Sequence, residues 1–494
     1  MKADETLRAG DRVLVGTSLI TVSDEFASSL RPGDRVLGVE SGGHLRRIAA
    51  EVSTVVDVAL SAASAAFGVM SSVPQSAVTR FYRTAADLLR DDTVFSRVQS
   101  ANADDVESAR SRGRSTTRLV LSESMRAGMV EALEMWRDVP DGATELSTVS
   151  HAGWDVTEHR APLGVIGFVF EGRPNVFADA TGVLRGGNTV VFRIGSDALG
   201  TARALMAEVV SPALREAGLP PGAVCLLDST EHAAGWAMFA DPRLSLAVAR
   251  GSGPAVAELG SIARQAGTPV SLHGTGGAWM IVGESADAAR LAAVVEHSLD
   301  RKVCNTLNVI CLPASRAAEL VPLVEEAADR AAARRGLRAR VHSSAAALGH
   351  FRHSGPIEVR RAGGTVIEPR VTVADSFSMG HEFEWEENPE FRVELVSSVA
   401  EAVALFNAHS PRFIVSCVSG DAADHDAVWS GCDAPFVGDG FTRWVDGQFA
   451  LLRPELGLSN WQSGRLFARS AILSGDSGYT VRLRVRQSDP GLHR

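Results

Sequence analysis

Hydrophobic and polar positions are arranged differently in successive parts of the chain, and each arrangement predicts a different structure. Before about residue 48, short apolar runs at 12–15, 19–22 and 35–39 are separated by turn residues such as Pro32-Gly33-Asp34. Short runs bounded by Gly, Pro and Asp are typical of strands joined by turns. We therefore expect residues 1–48 to form a small β-rich extension, and no repeat of fixed period is visible along the chain.

Helical spacing follows, and then strands and helices alternate. Between about residues 50 and 124, apolar residues recur every three or four positions, which predicts helices. Beyond Pro162 the alternation predicts right-handed βαβ units around a mainly parallel sheet. A helix capped by Ser196 is expected to run to about residue 217. The expected strands are 164–170, 188–193, 223–227, 244–249, 278–282 and 307–312, with 413–418 and 435–437 in a second α/β domain after Pro313.

The composition is that of a globular protein with several domains. Its 494 residues are enough for about three domains, and 45% apolar with 22% charged residues excludes a largely disordered chain. The net charge of −10 does not favour a nucleic-acid or anionic-membrane partner.

Several features of the sequence bear on the compartment. The first residues contain no apolar segment of the signal-peptide type, and Val55–Met70 is expected to be too short to span a bilayer. The five cysteines form no CxxC pair, which argues against a disulfide framework or a zinc site. We therefore expect a cytoplasmic protein without a bound metal.

Cys304 is the cysteine best placed for chemistry. It lies in Arg301-Lys302-Val303-Cys304, between a predicted helix at about 285–299 and an apolar strand. Neighbouring cations stabilise a thiolate, and a helix-to-strand junction can expose the sulfur. A buried structural thiol fits the same spacing, so from the residues alone both interpretations stay open.

Polar and glycine-rich residues follow several predicted strands, where α/β proteins bind their ligands. In Glu171–Asn175, the Asn amide can donate to an oxyanion and Arg173 can hold an anion, or the segment is a polar turn with Asn as a helix cap. Arg193-Ile-Gly195-Ser196 and Arg250-Gly251-Ser-Gly253 are junctions whose small residues let backbone approach a phosphate. His273 opens a further glycine-rich turn, where a structural role is the commoner one.

Several of these segments occur in the same order as the motifs of a known family. They are Ala161–Gly167, Glu171–Val176, Gly187–Arg193, Val303–Thr306 and Phe441–Phe449, with Ala101–Val106 in the helical region. From about residue 50 to the C-terminus, the chain resembles the gamma-glutamyl phosphate reductases (glutamate-5-semialdehyde dehydrogenases), a branch of the aldehyde dehydrogenase superfamily. These enzymes use NADPH to reduce an acyl phosphate to an aldehyde in proline biosynthesis.

The resemblance implies roles for individual residues. Cys304 matches the nucleophile, whose thiolate displaces phosphate to form a thioester, and Asn175 matches the residue that stabilises the oxyanion. An Arg beside the adenosine ribose suits NADP rather than NAD. The implied cofactor-binding positions are Arg193, Gly195, Ser196, Arg250, Gly251, Gly253 and Glu387, and the implied substrate-binding positions are Arg173, Asn305 and Arg443.

The resemblance also implies an α/β fold of the aldehyde dehydrogenase type. We expect a Rossmann-like cofactor domain at 49–296, a catalytic domain at 297–466 and a C-terminal return at 467–494. A β-flap of about residues 144–159 and 479–486 would pair subunits, so a homodimer or homotetramer is expected. No kinase-like segment is visible, so a separate kinase is expected to supply the acyl phosphate.

The chain departs from the family pattern at positions that bear on the reaction. Leu272 stands where hydrolytic aldehyde dehydrogenases carry a water-activating Glu, which favours reduction of the thioester unless His273 replaces that base. Motifs at Asp300–Lys302, Ala450–Glu455 and Phe467–Ala471 differ from the family's near the substrate end. The alternatives are therefore the same chemistry on another acyl phosphate or thioester, or a cofactor-binding protein without catalysis.

Overall fold

The chain divides into two compact units. The computed structural model describes residues 7–114, 116, 119–139, 144–361, 364–374, 379–445, 450–452, 455–461, 472–475 and 477–492. Unit 1 comprises Met1–Gly274, Leu452–Leu458 and Ile472–Arg494, and unit 2 comprises Thr275–Leu451 and Ser459–Ala471. The division falls in the glycine-rich turn after His273, which separates a strand of one sheet from a strand of the next. It therefore lies before residues 296 and 297, where the sequence placed the domain boundary.

The N-terminal extension consists of β-hairpins, as predicted. Strand β1 (Arg12–Val15) pairs antiparallel with β2 (Ser18–Thr21), and β3 (Arg35–Val39) pairs with β4 (His44–Ile48). The short helix α1 (Asp24–Ser29) lies between the hairpins in sequence. Contacts group all of these elements with unit 1.

The hairpins are an internal repeat, so the expectation of no repeat was wrong. Leu-Arg-Ala-Gly-Asp-Arg-Val-Leu at 7–14 returns as Leu-Arg-Pro-Gly-Asp-Arg-Val-Leu at 30–37. The two copies form the same turn, in which the Arg8 backbone N–H donates to Asp11 at 2.7 Å and the Arg31 N–H donates to Asp34 at 2.8 Å. Each turn contains a glycine, Gly10 in the first and Gly33 in the second, with φ values of 86° and 87°, a conformation that favours glycine.

Helices occupy the region where helical spacing predicted them. They are α2 (Ala50–Met70), α3 (Gln75–Arg90), α4 (Asp92–Ser111) and α5 (Glu123–Asp138), and the strands β5 (Glu145–His151) and β6 (Trp154–Pro162) follow. By length and composition alone, α2 is long and apolar enough to cross a membrane, with a mean hydropathy of 1.6 over its most apolar window. The run Val55–Met70, predicted to be too short for a span, is the larger part of this helix, and Val56 and Leu60 within it are buried. Its Ala63 carbonyl accepts a hydrogen bond from the Thr189 hydroxyl at 3.0 Å.

A parallel sheet forms the centre of unit 1. Its strands are β7 (Val165–Val169), β8 (Thr189–Arg193), β9 (Val224–Leu226), β10 (Leu244–Arg250) and β11 (Val270–His273), in the order β11-β10-β7-β8-β9. The helices between them are α6 (Val176–Thr181), α7 (Leu199–Leu205), α8 (Ser211–Ala217), α9 (His232–Phe239) and α10 (Gly253–Gln265). The strands are continuous apolar runs because helices cover a parallel sheet.

The helix predicted from Ser196 begins differently. Residues Ser196–Ala198 form a 3₁₀ turn, and the Ser196 side chain does not cap it. A π-helical turn at Met206–Val210 joins α7 to α8. The predicted single helix is therefore an α-helix interrupted by one wider turn.

A second parallel sheet forms the centre of unit 2. Its strands are β12 (Ala278–Val282), β13 (Leu307–Pro313), β14 (Arg340–Ser343), β17 (Val371–Val373), β18 (Glu390–Val396), β19 (Ile414–Val418) and β20 (Phe436–Gly438). Across the sheet they lie in the order β17-β14-β18-β13-β12-β19-β20. A hairpin of β15 (Pro356–Arg361) and β16 (Gly364–Pro369) precedes β17. The helices of this unit are α11 (Ala288–Ser298), α12 (Ala317–Ala333), α13 (Val399–His409) and α14 (Ala422–Gly431).

The predicted flap is a separate antiparallel sheet of unit 1. The last strand, β23 (Tyr479–Gln487), follows the short pair β21 (Glu455–Leu458) and β22 (Ile472–Ser474), and pairs along the length of β6, which also pairs with β5. Val149, Leu483 and Val485 are 54%, 67% and 59% exposed. An exposed apolar group on a paired sheet is typical of a surface that another protein covers.

Candidate active site

The topology of unit 1 brings most of the predicted site residues to one sheet edge. Glu171–Asn175 follows β7, Arg193 ends β8, Arg250 ends β10 and His273 ends β11. These strands are parallel neighbours, so their carboxyl ends meet at the same edge. Asn175 is half-buried at the N-cap position of α6, and its side chain makes no capping hydrogen bond. The interpretation of Asn175 as a helix-capping residue is therefore not realised.

Charged side chains of opposite sign are paired at this edge. Arg250 lies 3.3 Å from a carboxylate oxygen of Asp179, a residue of α6. Burial raises the pKa of Asp179, while Arg250 and Arg173 act in the opposite direction. Arg173 lies 3.8 Å from Glu171, so two cations and two carboxylates stand together beyond β7 and β10.

His273 is an uncharged imidazole at neutral pH. Its side chain is buried, and burial together with the charges of Arg250 and Arg173 lowers its pKa to about 3, although a hydrogen bond with the Leu458 backbone opposes the shift. A base with so low a pKa abstracts a proton from water poorly. The neighbouring Leu272 is buried and packs against Gly260 of α10, so it brings no carboxylate to the edge.

The turn after β8 approaches the turn after β7 closely. A Cβ atom on Gly195 would lie 2.8 Å from the backbone nitrogen of Gly172, so only glycine fits there. Arg193 is buried, and its Nε donates to the Glu231 carbonyl at 3.1 Å. A second bond runs from Nη2 to the Thr230 carbonyl at 3.4 Å. The guanidinium is therefore held by backbone before α9.

The turn after β10 leads directly into α10. Gly251 N–H donates to the His273 carbonyl at 3.2 Å, which ties this turn to the end of β11. Gly253 is the first residue of α10, and Pro254 follows it. The N-terminus of a helix of this length attracts an anion through its free N–H groups and its dipole. The predicted small residues thus lie where backbone can approach a phosphate.

In unit 2, the loop that carries Cys304 lies between α11 and β13. Cys304 is half-buried, and its carbonyl accepts a hydrogen bond from Gly277 N–H at 2.7 Å. A Cβ atom on Gly276 would lie 2.6 Å from the same carbonyl oxygen. Backbone packed this tightly fixes the position of the cysteine.

Side chains of the loop close it on itself. The Thr306 hydroxyl accepts from Val303 N–H at 2.9 Å and donates to the Arg301 carbonyl at 2.7 Å. Asn305 is buried, and its amide donates to the Val445 carbonyl. Asn305, predicted to bind substrate, therefore has a structural contact that holds the loop.

Lys302 does not stand as an isolated cation beside the cysteine. Its ammonium lies 2.5 Å from Glu382 and 3.7 Å from Glu384, and the Lys302 side chain is 6% exposed. The second oxygen of Glu382 accepts from Gly276 N–H at 2.5 Å. The sequence did not single out Glu382, because it lies far from the cysteine in the chain and follows no predicted strand.

The remaining predicted positions of unit 2 are held in ion pairs. Arg443 is buried and pairs with Asp300. Glu387 is partly exposed and pairs with Arg360 of the β15 hairpin. Of the motifs that carried the resemblance or departed from it, residues 446–449, 453–454 and 467–471 lie outside the described residues. In the part of the chain that the structure describes, no group of three or more His, Cys, Asp or Glu side chains is placed to hold a metal ion.

Comparison with known proteins decides the family. The model of the aldehyde dehydrogenase family matches residues 39–347, which is more than half of the chain. The chain belongs to the aldehyde dehydrogenase family. The predicted superfamily and its α/β fold are thereby confirmed. As a member, the chain is an oxidoreductase that uses a nicotinamide cofactor.

Relatives of this aldehyde dehydrogenase carry the name of the predicted branch. A gamma-glutamyl phosphate reductase of Syntrophomonas wolfei is 26% identical over 406 residues, which cover 78% of this chain and 89% of that protein. The crystal structure of a gamma-glutamyl phosphate reductase from Thermotoga maritima aligns with a TM-score of 0.75 at 22% identity, over 89% of this chain and 100% of that one. Lactaldehyde dehydrogenase from Escherichia coli aligns with a TM-score of 0.64 at 16% identity, over 92% and 96%. At such identities the structural likeness shows a shared fold.

Proposed function

We propose that this chain reduces an acyl phosphate to an aldehyde through a thioester on Cys304, with gamma-glutamyl phosphate as the substrate and NADPH as the reductant. The setting of Cys304 carries the proposal, because Cys304 lies in a loop whereas Cys225, Cys311 and Cys417 lie within strands of the two sheets. Burial raises the pKa of Cys225 to about 11 and of Cys417 and Cys432 to about 12, and raises that of Cys311 further. Cys304 is half-buried in a loop fixed by backbone contacts. The name of the Syntrophomonas wolfei relative supports the glutamyl substrate.

In the proposed reaction, the Cys304 thiolate attacks the acyl carbon, and the carbon–oxygen bond to phosphate breaks with its electron pair going to phosphate. The Asn175 amide donates to the oxyanion that forms on the acyl oxygen. A nicotinamide cofactor held at the sheet edge of unit 1 would supply the hydride that reduces the thioester carbon. The carbon–sulfur bond of the resulting thiohemiacetal then breaks, which releases the aldehyde and returns the Cys304 thiolate. Because Leu272 is apolar and His273 is neutral, neither activates water against the thioester.

The sheet edge of unit 1 fits a dinucleotide. Gly195 has no room for a side chain, and Gly251 and Gly253 lie at the start of α10, where a pyrophosphate binds to helix N–H groups. We assign the adenosine ribose and its phosphate to the turn that holds Arg193 and Ser196. Two backbone carbonyls anchor the Arg193 guanidinium, so its positive charge is fixed in place. This favours NADP over NAD.

The proposal extends to the oligomeric state of the protein and to the source of its acyl phosphate substrate. The exposed apolar residues of the flap support a homodimer or homotetramer built on that surface. The acyl phosphate would be supplied by a separate kinase.

A substitution of the nucleophile tests the proposed function. Cys304→Ala should abolish phosphate-dependent oxidation of glutamate 5-semialdehyde, the reverse reaction, while the affinity for NADP in a fluorescence titration stays unchanged. Cys311→Ala, in the core of β13, is the matched control and should remain active. Substantial turnover by Cys304→Ala would reject the mechanism. Turnover by the wild type of other aldehydes but not of the semialdehyde would replace the glutamyl substrate with another acyl group.

A further inference from the structure

A partly buried ion pair near the cysteine in sequence joins segments that lie far apart along the chain. Lys302 stands two positions before Cys304, and its ammonium lies 2.5 Å from Glu382 Oε1. The other carboxylate oxygen, Oε2, accepts from Gly276 N–H at 2.5 Å. The next residue, Gly277, donates to the Cys304 carbonyl at 2.7 Å. One carboxylate therefore links Lys302, which precedes the cysteine, to the glycine turn that holds the Cys304 carbonyl.

The space around this carboxylate is filled. A Cβ atom on Gly276 would lie 2.6 Å from the Cys304 carbonyl oxygen and 2.8 Å from Glu382 Oε1. The segment that carries Glu382 is itself fixed, because the Asn308 amide donates to the His381 carbonyl at 2.8 Å and accepts from Phe383 N–H at 3.0 Å. Asn308 belongs to β13, so the contact reaches the centre of the sheet.

We propose that Glu382 is a positioning residue for Cys304, acting through Lys302 and Gly276. This inference rests on the proposed role of Cys304 as the nucleophile. An ionised carboxylate accepts from both neighbours at once, whereas an amide in its place would turn a donor toward one of them. Displacement of a reacting atom by about 1 Å can cost about 10²-fold in rate. Loss of the carboxylate therefore lowers the rate of the step at sulfur and leaves cofactor binding intact.

The pair also contributes to the charge of the loop that carries the cysteine. Among the described residues, the charged and titratable side chains of this loop and of the segments bonded to it are Asp300 with its partner Arg443, Arg301, Lys302, Arg335, His381, Glu382 and Glu384. Glu382 and Lys302 cancel each other's charge in a partly buried position. Removing the carboxylate leaves an unpaired ammonium, which favours the Cys304 thiolate, and removing the ammonium leaves an unpaired, partly buried carboxylate, which disfavours it.

Paired substitutions test the inference. In Glu382→Gln and Lys302→Met, kcat for the phosphate-dependent oxidation of glutamate 5-semialdehyde should fall by about 10- to 100-fold, and the Kd for NADP should stay unchanged. The pH midpoint for alkylation of Cys304 by iodoacetamide should shift down in Glu382→Gln and up in Lys302→Met, by about half a pH unit or more. Cys304→Ala gives the background from other thiols. Glu384→Gln is the control, because Glu384 also faces Lys302 but is 70% exposed, and it should leave kcat and the midpoint unchanged.

The outcomes separate this inference from the proposed function. A folded Glu382→Gln or Lys302→Met with wild-type kcat would overturn it, as would midpoints that stay in place or move in the same direction. If Glu382→Gln does not fold, Lys302→Met decides the question, because it leaves the bond from Gly276 to Glu382 in place. If the wild type reduces no acyl phosphate, the proposed function fails, and the alkylation midpoints still show whether Glu382 controls Cys304.

Discussion

His273 should make the protein less stable as the solution becomes acidic. Burial, with the charges of Arg250 and Arg173, lowers its pKa from 6.5 to about 3 in the folded protein. The unfolded chain protonates the same side chain below about pH 6.5. Between these two values the unfolded state binds more protons than the folded state, so the free energy of unfolding falls as the pH falls through that window.

The size of the effect follows from the gap between the two pKa values. Each pH unit below 6.5 removes about 1.4 kcal/mol from the free energy of unfolding. At pH 5 the loss that His273 causes is therefore about 2 kcal/mol relative to pH 7. A stability of about 5–15 kcal/mol is usual, so the loss is large enough to measure.

Urea unfolding at pH 7 and pH 5, followed by tryptophan fluorescence, measures this loss in the wild type and in His273→Gln. The variant lacks the imidazole but keeps the other titrating groups, so the wild type should lose about 2 kcal/mol more than the variant between the two pH values. An equal loss in both proteins would refute the reasoning. So would an imidazole resonance that titrates near pH 6.5 in the wild type and is missing from His273→Gln.

Other predictions address stability, reaction direction, assembly and cofactor choice. Arg370 is 1% exposed and lies 2.7 Å from the buried Glu325, so Arg370→Met should cost about 3–5 kcal/mol in urea unfolding; a loss below about 1 kcal/mol would mean that the pair is weak. Aldehyde oxidation without phosphate should be about 10²- to 10⁴-fold slower than with it, and His273→Gln should leave that slow rate unchanged; a further fall would identify His273 as the base. Leu483→Asp should dissociate the proposed oligomer in analytical ultracentrifugation, and an unchanged mass would exclude the flap from the interface. Arg193→Ala should weaken binding of NADP more than of NAD in a titration, and an equal loss for both would contradict the assignment of Arg193.

The strands of the sheets differ in how well their sequences reveal them. The predicted run 164–170 contains β7 (Val165–Val169), because a strand covered on both faces is a continuous apolar segment. Strands β14 and β18 were not predicted. They carry charged residues that are paired, across the two strands for Arg340 and His342 with Glu390, and within β18 for Arg392 with Glu394. Pairing makes such residues tolerable in a sheet, and it leaves no apolar run in the sequence.

The same physics explains which parts of the site were predictable. Asn175, Arg250 and His273 come together because parallel strands end at one edge, a rule that needs only the order of elements. Glu382 follows no strand end, and its role depends on side-chain contacts with Lys302 and Gly276. The repeat at 7–14 and 30–37 is visible in the sequence alone, so the similarity of the two hairpins was predictable without the structure.

Adjacency in sequence is a weak guide to the charge that a cysteine experiences. The cations before Cys304 suggested direct stabilisation of its thiolate, but Lys302 is buried against Glu382, and the two charges cancel. A net cation at that place would hold the thiolate at low pH but would also oppose its attack on carbon, because a more stable thiolate is a weaker nucleophile. A neutralised pair instead leaves the sulfur its nucleophilicity while fixing the loop. The structure therefore favours position over charge as the contribution of Lys302.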